Sequence, residues 1–297
     1  MAPIKLERML CPVDFSEFSV AAYIHASSVA QQYGAKLFVL HVVEMWRRPH
    51  ASFSMSVDPY DQFVRVLVAK GEEELRTFVK EHERNGLHPE FVVREGMAPD
   101  EILSLAGDER MDLIVMGTHG RRGFDRLMLG SATERVLRTA HCPVLAVHKP
   151  PRGYVESARA RQIIELRHIL MCTDFSDGSH RALDYALYLA AEHNCGLTLV
   201  HVLEGIPIPA RRKQAAAKAK EALEKLVPAQ TRKGCKIATT VRNGTPYKEI
   251  LQLAREKDAD LVILAVRGRN ALDVAVFGST TYRVLQLGTF PVLAVHL

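Results

Sequence analysis

The sequence is short of most features that assign a chemistry at sight. No apolar run approaches the ~18 residues a membrane-spanning helix needs, which sets integral membrane classes aside. The opening Met1-Ala-Pro-Ile-Lys-Leu-Glu7 lacks the apolar core of a secretory signal, so a cytoplasmic protein is expected. Cysteine is sparse: Cys11, Cys142, Cys172, Cys195 and Cys235 are odd in number and form no Cys-x-x-Cys. That argues against a disulfide framework and against a zinc site. Cys11 and Cys172 fall in strand-like runs and read as buried thiols. There is no Gly-x4-Gly-Lys-Ser/Thr and so no P-loop. A Gly-x-Ser-x-Gly elbow is also missing, and no paired carboxylates or arginine-and-base set stands out for phosphoryl transfer.

Charge excludes little. The 297 residues carry 39 Lys and Arg against 34 Asp and Glu, a net +5. Arg211, Arg212, Lys213, Lys218 and Lys220 gather on one predicted helix and read as solvated surface. Arg121, Arg122, Arg126, Arg267 and Arg269 instead flank glycine-rich segments. No recognition motif accompanies these charges, so nucleic acid is not an expected partner.

What the chain does contain is one glycine pattern, twice. Residues 117–131 read GTHGRRGFDRLMLGS, with Gly117, Gly120, Gly130 and Ser131 in register. Residues 265–279 read AVRGRNALDVAVFGS, with Ala265, Gly268, Gly278 and Ser279 at the same spacing. Each follows an apolar strand-like run and precedes a helix-like segment. Strand, glycine loop and helix start together suit a phosphate, because backbone N–H groups can approach the anion and the dipole favours it.

The repeat runs further. Asp14-Phe-Ser16 matches Asp174-Phe-Ser176 and His41 matches His201, at an offset of 160. Gly96 matches Gly244, and Pro143-Val-Leu-Ala-Val147 matches Pro291-Val-Leu-Ala-Val295, at an offset of 148. The first copy therefore holds an insertion between His41 and Gly96, placed near Trp46–Tyr60 and read as a surface loop. Short β-branched runs alternate with helical periods in both copies. Strands are expected near Met9–Val13, Lys36–Val43, Glu90–Arg94, Leu113–Met116 and Val144–Val147. The second copy has them near Ile169–Cys172, Leu197–Val202, Ile237–Val241, Leu261–Ala265 and Val292–Val295. Fully apolar strands alternating with helices imply α/β domains with parallel sheets covered on both faces. Such sheets bind ligands at strand C-termini, where strand order reverses. Asp14, Val42 and Gly117–Gly120 all fall there. Domains are expected over 1–148 and 167–297, joined by a linker over 149–166.

The Pro/Thr-x-Asp-Phe-Ser opening, the His-Val after the second strand and the Gly-x2-Gly-x9-Gly-Ser motif together resemble the universal stress protein family. The chain resembles a tandem member, and the likeness covers nearly all of it except the linker and the insertion. The resemblance implies two Rossmann-like domains, each a five-stranded parallel sheet flanked by helices, and ATP as ligand. Carried onto this sequence, Asp14 and the backbone of Val42 contact adenosine, and Gly117, Gly120, Gly130 and Ser131 hold ribose and phosphates. Pro12 and Thr173, which open the motif, and His119 within the loop are counted with the site. In the second copy Asp174, Val202, Gly268, Gly278, Ser279 and Thr280 take the same parts. Mg²⁺ arrives with the triphosphate, held mainly by its oxygens. The resemblance also implies pairing of the two domains through their last strands, and a homodimer is a further expectation.

Simpler readings compete at several positions. Asp14 and Asp174 suit helix caps, Ser131-Ala-Thr-Glu134 reads as a capping box, and Pro246 suits a first turn after Thr245. His41 and His201 read as packed or hydrogen-bonded, not as metal ligands or bases. Ala265 breaks the glycine pattern, and two readings stay open: its methyl blocks close approach or an unusual φ, or it is tolerated. ATP is thus expected in at least the first domain, the second being open either way, with a regulatory role in stress and at most slow hydrolysis. The alternatives are a nucleotide-independent interaction protein and an ATP-hydrolysing or nucleotidyl-transfer enzyme.

Overall fold

The computed structural model describes residues 4–44, 59–82, 87–120, 129–148, 165–205, 208–227, 236–266 and 278–296. Gly268, Cys235, the five arginines beside the glycine motifs, the linker before Glu165 and the insertion before Pro59 lie outside them. The chain divides into two compact units. One takes Leu6–Cys142 and Val147–Ile164; the other takes Met1–Lys5, Pro143–Ala146 and Glu165–Leu297.

The first unit runs β1 (Arg8–Val13), α1 (Glu17–Tyr33), β2 (Lys36–Glu44), α2 (Pro59–Glu81), β3 (Glu90–Gly96), α3 (Ala98–Asp108), β4 (Leu113–Gly117) and α4 (Ser131–Thr139). Its strands lie in the order β3-β2-β1-β4, all parallel. Met9, Leu10, Cys11, Ile114 and Val115 are wholly buried, which explains why these strands read as unbroken apolar runs. Tyr23 of α1 and Phe78 of α2 meet at 5.6 Å, joining two helices.

The remaining elements are β5 (Val144–Val147), β6 (His168–Cys172), α5 (Asp177–Glu192), β7 (Gly196–Leu203), α6 (Pro209–Leu226), β8 (Ile237–Asn243), α7 (Pro246–Glu256), β9 (Leu261–Ala265), α8 (Ser279–Leu287) and β10 (Val292–Val295). The second unit repeats the first, with β8-β7-β6-β9-β10 parallel. β5 pairs antiparallel with β10, Leu145 opposite Leu293, so the sheet is mixed. Both strands read Val-Leu-Ala-Val and both are fully buried, so an uncovered β10 edge would present apolar surface and unpaired backbone to water.

Two expectations change. Pro59 and Tyr60 belong to α2, which has 23 residues against 18 in α6, so part of the insertion lengthens a helix. The capping box at Ser131 does not form. Gly130 is the cap residue, no side chain caps α4, and Glu134 instead pairs with Arg138 at 2.7 Å. Thr245 does precede Pro246 at the start of α7, though its hydroxyl makes no cap bond.

One clamp was not foreseen. Asp112 Oδ2 accepts the N–H groups of Glu7 (2.8 Å) and Arg8 (2.9 Å), fixing the start of β1 against β4. Asp260 does the same for Arg167 (2.8 Å) and His168 (3.0 Å) ahead of β6.

Cys11, Cys142, Cys172 and Cys195 are buried and in no disulfide, and Cys11 and Cys172 were read as buried thiols. Burial pushes Cys11 and Cys172 far above the ordinary thiol value and Cys142 up to about 12, where Asp112 adds to the effect. Thiolate, the reactive form, is therefore scarce at neutral pH. Native alkylation with iodoacetamide should leave Cys11, Cys142 and Cys172 unmodified, and denaturant should release all three. Peptide mapping checks this; rapid native labelling of any of them would contradict it.

Candidate functional site

The chain lays β2 and β3 on one side of β1, then crosses back to place β4 on the other. Strand order thus reverses between β1 and β4, the place where open α/β sheets bind ligands. β1 ends at Val13, opposite His41. β2 continues, and Val42, Val43 and Glu44 pair with β3 as Arg94, Glu95 and Gly96. Half-buried Val42 therefore stands past the end of β1, with one edge of its backbone beyond that ladder.

Asp14 follows β1 directly. Its Oδ1 accepts from Ser16 N–H (3.1 Å), Ser16 Oγ (2.6 Å) and Ser19 Oγ (2.5 Å). Ser19 Oγ also accepts from Asp14 N–H at 2.9 Å, closing the ring. Asp14 is not the helix cap; Ser16 is, taking Ser19 N–H at 3.3 Å. The turn requires Phe15 in the left-handed region, φ 64°. A non-glycine residue held there costs about 1–3 kcal/mol, and such strain clusters at functional sites. Its ring stacks on His41 at 4.4 Å, while His41 Nδ1 bonds Val13 O at 3.0 Å. The packed reading of this histidine holds.

The glycine motif comes to the same place. A Cβ on Gly120 would fall 2.6 Å from Asp14 Oδ2, so carboxylate and loop backbone are in van der Waals contact only because residue 120 has no side chain. Gly130 N–H bonds Thr118 O at 2.9 Å, and Gly130 lies against His119. Thr133 Oγ1 bonds Gly117 O at 2.8 Å. The first intrahelical bond of α4 runs from Glu134 N–H to Gly130 O. The N–H groups of Ser131, Ala132 and Thr133 precede it at the positive end of the helix dipole. Ser131 is exposed at this end. Asp14, Gly120, Gly130 and the start of α4 thus converge as predicted.

Other predicted residues have different surroundings. His119 is buried, its Nδ1 2.9 Å from Thr118 Oγ1 and its ring 5.0 Å from Phe18 and 6.0 Å from His148. Gly117 is buried under α1: a Cβ there would sit 2.7 Å from Phe18 Cβ and 2.9 Å from its carbonyl oxygen. Pro12 lies within β1, half-buried and opposite Leu40.

The second unit repeats the frame. Asp174 Oδ1 accepts from Ser176 N–H (3.1 Å), Ser176 Oγ (2.6 Å) and Ser179 Oγ (2.5 Å). Phe175 has φ 63°, stacks on His201 at 4.6 Å and donates its N–H to Thr173 Oγ1 at 3.0 Å. Thr173 thus supports the turn from within, at the position of Val13. Val202 stands on β7 past Cys172, the end of β6. Gly278 caps α8 and bonds Val266 O at 3.2 Å, with Ser279 exposed and Thr280 half-buried behind it.

Sequence reasoning did not find Ser19 and Ser179, which hold the carboxylates, or Thr133 and Thr281, which hold the loop entrances. The Asp-x-Ser-x-x-Ser spacing shared by both copies was the available signal.

With this geometry in hand, the chain can be set beside known proteins. A sequence model of the universal stress protein family matches residues 5–148 and again 165–296. A universal stress protein of Methanocaldococcus jannaschii is 34% identical over 146 residues, 49% of this chain and 84% of its own length. One from Mycolicibacterium smegmatis is 24% identical across 97% of this chain and 96% of its own. The crystal structure of a universal stress protein from Archaeoglobus fulgidus superposes with a TM-score of 0.71 at 22% identity, covering 98% of this chain and 99% of that one. Two matched segments, the repeated strand order and the paired Asp-Phe-Ser turns lead to one conclusion: this chain belongs to the universal stress protein family, as a tandem member.

Proposed function

We propose that the first unit binds an adenine nucleotide, ATP with Mg²⁺, and that occupancy is a regulatory signal in a cytoplasmic stress response. The approach of Gly120 to Asp14 Oδ2 carries this reading, because it brings a carboxylate, a side-chain-free backbone and a helix start to one sheet crevice. Asp14, locked at Oδ1, offers Oδ2 toward the ribose side. The backbone of Val42 faces the base, and Gly130, Ser131 and the start of α4 receive the phosphates. Among the described residues no group of three or more His, Cys, Asp and Glu side chains could hold a metal, so Mg²⁺ is read as held through phosphate oxygens. Several charge-assisted bonds of ~1.5–3 kcal/mol each, set against association costs of ~4–15 kcal/mol, suit roughly micromolar affinity. The binding domains we assign are 1–148 and 167–297, and hydrolysis, where it occurs, is slow.

The test is the nucleotide content of freshly purified protein, released by denaturation and quantified per chain, followed by titration with Mg-ATP. At least one adenine nucleotide per chain is expected. None in either measurement overturns the proposal and favours a nucleotide-independent interaction protein.

A further inference from the structure

We infer that α2 holds the Asp14 turn from outside: Phe78 and Gly71 are positioning residues for the Asp14 carboxylate in the first unit, while the second unit holds the matching turn with a hydroxyl of its own. The use of that carboxylate rests on the nucleotide reading above; the packing does not.

Both turns are strained and have to be held. Phe15 has φ 64° and Phe175 φ 63°, in the left-handed region that side chains rarely adopt. The next residue in each copy, Ser16 or Ser176, binds the preceding carboxylate through its N–H and its hydroxyl. Rotating Phe15 to an ordinary φ would carry Ser16 away from Asp14 Oδ1. The two units offset this strain by different means.

In the second unit the means is internal. Thr173 Oγ1 accepts the Phe175 N–H at 3.0 Å. The first unit has Val13 at that position, which carries no hydroxyl. Rings take its place. Phe15 stacks on His41 at 4.4 Å and meets Phe78 edge-on at 5.6 Å. Phe78 is itself fixed by Tyr23 at 5.6 Å and His82 at 4.9 Å. Gly71, two turns earlier on α2, lies against the other ring of the stacked pair: a Cβ there would sit 3.2 Å from His41 Cδ2. Glycine inside a helix is unfavourable on its own account, and here it lets α2 approach His41 directly. Gly71 and Phe78 are both buried and share one helix face. One helix thus touches both rings that flank the turn.

The second copy replaces these parts. At the offset of 148, Gly71, Leu75 and Val79 correspond to Ala219, Leu223 and Val227, buried in both copies. Phe78 corresponds to Leu226, and Tyr23, at the offset of 160, to Leu183. The hydroxyl below the turn and the aromatic column from α2 therefore alternate between the copies. A displacement of α2 changes how Asp14 is aimed, which makes the first crevice responsive to that helix.

Two measurements on the full chain test this. The first is hydrogen exchange without ligand, read at the amides of residues 15–19. Phe78→Leu should speed exchange there by about 3- to 10-fold, the worth of one aromatic pair, and adding Val13→Thr should restore the slow rate. Gly71→Ala should speed the same amides although alanine is the better helix former. Unchanged rates at the turn, or equal acceleration across the strands of the unit, overturn the proposal. If Phe78→Leu does not fold, Gly71→Ala decides. The second is calorimetric titration with Mg-ATP. Phe78→Leu should lose affinity by a similar factor, and Val13→Thr should recover it. Constant affinity with a loosened turn overturns the positioning role. No binding in the wild type would overturn the nucleotide reading, and the exchange rates would still judge the packing.

Discussion

Gly120→Val should weaken Mg-ATP binding to the first unit by at least ~100-fold, about 3 kcal/mol, while circular dichroism stays native. The cause is local. The valine Cβ begins 2.6 Å from Asp14 Oδ2, well inside contact distance. Asp14 is half-buried beside the crevice, so its carboxylate can swing away without opening the core. Swinging it breaks the three bonds at Oδ1 that aim the group, and the valine methyls fill the space a ribose would use. Losing one or two charge-assisted bonds at ~1.5–3 kcal/mol each accounts for the size of the effect. Calorimetric titration measures it. Unchanged affinity in a folded Gly120→Val chain would sink the assignment of this crevice.

A neighbouring glycine should behave differently. Gly117→Val is expected to destabilise folding by about 3 kcal/mol, at the upper end of overpacking costs, and to lower the melting temperature by several degrees. Its Cβ would strike the Cβ and backbone of Phe18, atoms that cannot turn aside as a side-chain tip can. Relief requires α1 to lift from β4, an interface whose strand is wholly buried. Gly130→Ala is the control from the same motif: its Cβ meets Thr118 O, His119 and Thr133 at 3.4–3.6 Å, ordinary contact distances. Thermal denaturation of the two variants should separate them clearly. Equal melting temperatures would mean that the motif glycines act alike, contrary to the packing described.

These two glycines show what the sequence made legible and what it could not. Strand positions were readable because burial on both faces leaves unbroken apolar runs such as Leu113–Met116. The repeat was readable because its offsets are regular. Asp14 and Gly120 could be placed on one crevice because strand ends share an edge. The purpose of Gly117 was hidden, since it depends on Phe18, about a hundred residues away and in contact only after folding. Gly117 and Gly120 look alike on paper, yet one answers to a helix and the other to a carboxylate. Ser131 was misjudged as a cap because the capping box is a local pattern, whereas the chain enters α4 through Gly130, held by Thr118 O. β5 and its pairing with a last strand were foreseen, but not the antiparallel direction, because strand composition carries no direction.

The Asp112 and Asp260 clamps sit where strands begin; the crevices open where strands finish. β1 has six residues, so its two ends lie ~20 Å apart. Anchoring and recognition are thus delegated to opposite rims of the sheet. For protein engineering this makes the rim at Asp14, Val42 and Gly120 a replaceable cassette: its residues can be redrawn while the carboxylate staples at the far rim keep the strands in register.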